Sequence, residues 1–93
     1  MLIATAVITL HAPWVHTLKE KRSELKSLVA KIQNRYNVSA AEVGAWDVHQ
    51  TMQIGIAGVA TDTAQADSIL DHIFAFIESN TEAEVVSLER EIR

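Results

Sequence analysis

The sequence predicts an α+β sandwich, a four-stranded antiparallel sheet carrying two helices on one face, with its elements in the order β-α-β-β-α-β. Three observations predict it. Apolar residues alternate with a period of two over 2–10 and 52–60, and in shorter form near 38–45 and 85–92, whereas over 17–36 and 63–79 they recur with the period of a helix. A capping signal stands before each helical stretch. The connections between the stretches are short, which restricts how successive elements can be arranged.

Leu2, Ala4, Ala6, Ile8 and Leu10 fall on one face of the first strand, and Ile3, Thr5, Val7, Thr9 and His11 on the other. Such a strand is buried strongly on one side and partly on the other. The same stretch lacks the basic leader of a signal peptide, so the reading is an unprocessed, cytoplasmic chain. Pro13 and Trp14 end the strand. Thr17 followed by Glu20 has the spacing of a capping box, and Leu18, Leu25, Leu28, Val29, Ile32 and Tyr36 then share one arc of a helix, with Asn37 as its stop. Two strands joined by a turn at 46–50 follow; in the second, Met52, Ile54 and Ile56 alternate with Gln53 and Gly55. Asp62 and Gln65 repeat the cap spacing, and Ala66, Ile69, Leu70, Ile73, Phe74 and Ile77 mark the second helix. The last strand, with Val86 and Leu88 on one face, is charged as an exposed edge should be. Right-handed crossovers then leave the ferredoxin-like split βαβ arrangement, strand order 4-1-3-2, as a single domain over residues 1–93. Its expected core includes Leu25, Leu28, Ile32, Ile54, Ile56, Ile69, Ile73 and Ile77.

Composition narrows the chemistry. The 93 residues are 48% hydrophobic with net charge −4, and the absence of cysteine removes disulfides and thiol catalysis. No apolar run has the length of a membrane-spanning helix. This arrangement hosts many activities, so each must be argued from its site. Metal-carrying versions use Cys-x-x-Cys. RNA-recognition versions stack bases on aromatics of the first and third strands, but here those strands present Ile3, Thr5, Val7 and Thr9, and Gln53, Gly55, Ala57 and Val59. The loop Ala12-Pro13-Trp14-Val15 has no arginine to cradle an acyl phosphate. Gly55-Ile56-Ala57-Gly58 has GxxG spacing but lies inside a strand, where it signals close packing. His11, His16, His49 and His72 lack metal-ligand spacing, and Ser39, Asp47 and His49 are not placed around a nucleophile elbow. The expectation is a protein without catalytic residues, metal or small-molecule cofactor, and without a membrane role.

Charge is unevenly spread. Between Lys19 and Arg35 six basic residues stand against Glu20 and Glu24, a net +4, while the remainder of the chain carries −8. Lys19, Arg22 and Lys26 form one stripe beside the apolar arc, with Lys21 close by. Arg22–Lys26 and Glu20–Glu24 are like-charge i, i+4 pairs, and cations in the first turns oppose the helix dipole. An anion elsewhere would relieve both costs. Two are available to the argument: Asp67, Asp71 or Glu89 of the chain itself, or a phosphate backbone.

Three blocks carry a family likeness. They are HTLKEKR at 16–22, where relatives commonly have SLKEKR, then RYNVSAAEVG at 35–44 and FIES at 76–79. On these blocks the chain resembles the YlxP-like family of small bacterial proteins, a domain of unknown function. The resemblance implies a ferredoxin-like fold, a cytoplasmic bacterial protein and a gene set among translation factors; it brings no established activity.

Two functional expectations follow. The first is a non-enzymatic binding module that contacts RNA or the ribosome through Lys19, Lys21, Arg22 and Lys26. The second is a homo-oligomer, most simply a dimer, formed through an uncovered sheet face carrying Ile3, Val7, Val59 and Val85.

Overall fold

The computed structural model describes all residues, Met1–Arg93. Strand β1 (Leu2–His11) leads to helix α1 (Leu18–Arg35), strands β2 (Ser39–Gly44) and β3 (Thr51–Ala60), helix α2 (Thr63–Asn80) and strand β4 (Glu84–Ile92). The sheet runs β2-β3-β1-β4 with every neighbouring pair antiparallel, which is the expected order. Both helices lie on the face that carries Ala4, Ala6, Ile8 and Leu10 of β1 and Met52, Ile54 and Ile56 of β3, and all seven of these side chains are buried. Helix α1 covers the β2 side, while α2 lies over β1 and β4.

Both caps form. The Thr17 hydroxyl accepts the Glu20 amide at 3.1 Å, and the Asp62 carboxylate accepts the Gln65 amide at 2.8 Å. The Gln65 side chain reaches back to the amide of Thr61, one residue before the cap, at 2.6 Å. Each satisfies donors that a helix start leaves free. Leu25, Leu28 and Ile32 of α1 meet Leu70, Ile73 and Ile77 of α2 in the core. Of the expected core, Ile69 alone is half-buried, at the margin of the cluster.

The glycines of β3 are places of close packing, and the neighbours are valine side chains. A Cβ added at Gly55 would lie 2.5 Å from Val43 Cγ1, and one at Gly58 would lie 2.7 Å from Val38 Cγ1. Valine has no flexible end to withdraw. Gly58→Ala is therefore expected to destabilise the domain by about 1–3 kcal/mol, seen as a lower urea midpoint at unchanged slope. An unchanged midpoint would show that Val38 and the connection before β2 shift freely.

Two expectations are corrected. Val85 does not belong to the uncovered face. The β1–β4 register shifts between Thr9 and Leu10, so that Ser87 pairs with Thr9 but Val85 pairs with Leu10. This bulge inverts the alternation and turns Val85 inward, half-buried against the core. Lys21 does not belong to the exposed stripe; its side chain is only 1% exposed.

Candidate nucleic-acid interface

Lys21, Leu25, Leu28 and Ile32 stand at i, i+4, i+7 and i+11, a single line down the buried side of α1. At the first turn this line passes over the end of β2. There Lys21 Nζ sits 3.2 Å from Glu42 Oε2 and donates a hydrogen bond to the Ala45 carbonyl. No donor is aligned with Glu42 Oε2, so its contact with Lys21 is ionic. The Ala45 carbonyl also accepts the Val48 amide at 3.1 Å, closing the turn. Ala45 is the one non-glycine residue with positive φ, at 56°, a left-handed conformation that L-residues with a Cβ disfavour. A buried lysine thus ties the start of α1 to the β2–β3 turn.

The remaining cations of α1 divide between its two flanks. Lys31 and Glu24 line a groove with Trp14 and the end of α2 around Asn80 and Thr81. Arg35 lies over the ring of Tyr36, whose hydroxyl donates to the His72 carbonyl at 3.2 Å. Arg22 and Lys26 lie on the opposite flank, in line with Val29 and Gln33, with Lys19 beside them. Gln33 reaches the Ala40 carbonyl of β2 at 3.5 Å, which sets that flank on the side of the β2 edge. Lys19, Arg22 and Lys26 are all exposed.

None of the three is paired within the fold. The ion pairs are Lys21–Glu42, Arg90–Asp67 at 3.1 Å, Arg90–Asp71 at 2.6 Å and Arg93–Glu91 at 3.1 Å. Asp67 and Asp71, the acids considered as partners for the stripe, are occupied by Arg90, whose guanidinium also lies 4.9 Å over the Phe74 ring. Arg90 is held charged more firmly than a free arginine, first by its hydrogen bond to Asp71; partial desolvation opposes this, and Asp67 adds to it. Glu89 is paired with Val7 in the ladder and lies on the sheet face away from the helices. Lys19, Arg22 and Lys26 therefore sit together on their flank without an ion-pair partner.

Beside the stripe is the turn between β2 and β3. Trp46, 57% exposed, and Val48 project from it. The turn is braced against the β1–α1 loop by Gln50, whose side chain donates to the Pro13 carbonyl at 3.0 Å. On the other side of the sheet, Ile3 and Val7 are half-buried and Val59 is exposed. The sequence offers Lys21 as a phosphate contact beside the stripe, and Trp46 enters none of its site expectations. The i, i+4, i+7, i+11 line was the signal that Lys21 points inward.

A family model described as a protein of unknown function, DUF503, matches residues 3–90. The chain belongs to the DUF503 family. Among its relatives, the uncharacterized protein YlxP of Bacillus subtilis (strain 168) is 41% identical over 68 residues, covering 73% of this chain and 74% of the relative. This DUF503 chain also resembles the solution NMR structure of a de novo designed protein with a ferredoxin fold. The TM-score is 0.55 at 17% identity, covering 100% of this chain and 85% of the other. At that identity the likeness speaks for the fold alone. No helix is long and apolar enough to cross a membrane.

Proposed function

We propose that this DUF503 protein is a non-enzymatic, cytoplasmic binding module that holds the phosphate backbone of RNA, free or in the ribosome, through Lys19, Arg22 and Lys26. One observation carries the reading: the three cations are exposed on the β2-side flank of α1, and none of them makes an ion pair within the fold. A fold selected for stability alone gains nothing from such a stripe at the positive end of a helix. Recognition by phosphate contact is sequence-tolerant and weakens steeply with salt. The test is a salt-titrated binding curve with unrelated RNA sequences. Affinity that falls linearly on a log–log plot and differs little between sequences supports the reading; no binding at low salt ends it.

A second reading, self-association, is favoured by the uncovered sheet face. Val43 and Val59 are exposed at 47% and 63% there, and Val7, Ala41, Val43 and Ala57, together with Glu89, Glu91 and Arg93, line a shallow trough of about 520 Å³. Contiguous apolar surface of this kind marks interfaces. A twofold dimer is the simplest closed use of it. Sedimentation at micromolar concentration is expected to show the dimer, and Val59→Lys to dissolve it. A strict monomer removes this reading.

A further inference from the structure

We propose that the nucleic acid held by α1 is single-stranded, and that one of its unpaired bases stacks on Trp46. The inference rests on the phosphate-binding reading above and goes further by naming the class of ligand and a second kind of contact.

Trp46 is a large indole left 57% in water, more exposed than the other tryptophan, Trp14, at 38%. Its position is fixed from below. Ala45 stands in the left-handed region at φ 56°, and its carbonyl is held by both the Val48 amide and the buried Lys21 ammonium. Desolvating a lysine and holding an alanine in that conformation both oppose folding. What the arrangement secures is the direction of the turn, and so the place where residue 46 leaves it.

That place adjoins the stripe. Lys21 belongs to the first turns of α1, between Lys19 and Arg22, and donates directly to the Ala45 carbonyl, so the residue that precedes Trp46 lies within one lysine length of that part of the helix. The stripe and the turn share the β2 side, as the contacts of Gln33 with Ala40 and of Lys21 with Glu42 establish. Trp14, the other tryptophan, lines the groove with Glu24 and Lys31 on the opposite flank. A track of cations flanked by one presented aromatic is how proteins hold single strands. The cations follow the phosphates, and the indole takes the face of a base. A duplex keeps its base faces stacked inside and offers the indole nothing to cover. The aromatic platform that the sheet strands lack is thus supplied by the turn.

The experiment uses the full chain with Trp14→Phe, which leaves Trp46 as the fluorescent reporter. It is titrated with an unstructured oligouridylate, with a perfectly paired RNA duplex and with polyglutamate. Oligouridylate is expected to quench Trp46 and to bind more tightly than the duplex. In the otherwise native chain, Trp46→Ala is expected to weaken oligouridylate binding by about 5- to 100-fold, the range of one base–aromatic stack, with the salt slope unchanged because no phosphate contact is lost. Trp46→Phe should recover most of that loss. Equal affinity for duplex and single strand, or binding indifferent to Trp46→Ala, overturns the stacking inference while phosphate binding stands. Failure to bind any RNA overturns both. Preference for polyglutamate overturns both in favour of an acidic protein segment.

Discussion

Replacing Lys21 by methionine is expected to destabilise the domain by about 3 kcal/mol, the low end of the range for breaking a buried ion pair. The low end applies because Glu42 keeps 24% of its side chain in solvent. The substitution preserves length and apolar stem, so little packing is lost. The loss comes from Glu42 Oε2, a buried oxygen whose neighbouring positive charge disappears, and from the Ala45 carbonyl, which keeps only the Val48 amide. For a domain of this size the melting temperature should fall by roughly 12–24 °C. The double change Lys21→Met/Glu42→Gln removes the orphaned charge and should return more than half of that loss, a coupling that a double-mutant cycle reads directly. A single variant that melts with the native protein would show that the pair is neutral to stability.

The triple change Lys19→Ala/Arg22→Ala/Lys26→Ala should act in the opposite way. It removes three phosphate contacts, and the slope of log affinity against log salt should flatten by about two to three units. Stability should hold or rise slightly. None of the three residues makes an ion pair in the fold, and the change removes a like-charge i, i+4 pair together with cations beside the positive end of α1. A thermal melt run beside the binding curve separates this from a structural stripe, which would show a lowered melting temperature and an unaltered slope. The contrast with Lys21 is the sharper test. Residues two positions apart or closer on one helix turn are expected to divide between stability and binding.

The fold could be read from the sequence because its signals are local and agree with one another. The caps at Thr17 and Asp62, the alternation in β1 and β3, and the helical arcs all point to one arrangement, and short connections do the rest. Lys21 reads as a phosphate contact by its charge, but its periodicity outranks its charge. Its spacing to Leu25, Leu28 and Ile32 is that of a core position, and the acid that makes its burial tolerable, Glu42, lies on a strand too far along the chain for spacing to reveal. The inward turn of Val85 is hidden for a different reason. A bulge adds one residue between strands paired across most of the chain, and nothing in VVSLEREI announces which residue is the extra one. The occupation of Asp67 and Asp71 by Arg90 is likewise a long-range fact. It holds both carboxylates on the β4 side of the sheet, away from the stripe, and only the assembled sheet displays it.

The sheet order has a consequence for the sequence of events in folding. β1 is interior, bordered by β3 on one side and by β4 on the other. β1 precedes both of its neighbours in the chain and waits longest for β4, and the pairing of Ala4 with Ile92 closes a long loop. Such distant pairings slow folding relative to helical bundles of equal size. Until β4 arrives, α2 carries Asp67 and Asp71 one turn apart with no cation between them, a repulsion that works against the helix. The arrival of β4 delivers Arg90 to both carboxylates at once. Docking of the last strand therefore also relieves the like-charge pair on the second helix, and an Arg90→Ala chain is expected to unfold faster in stopped-flow experiments with little change in its refolding rate, as interactions formed late do.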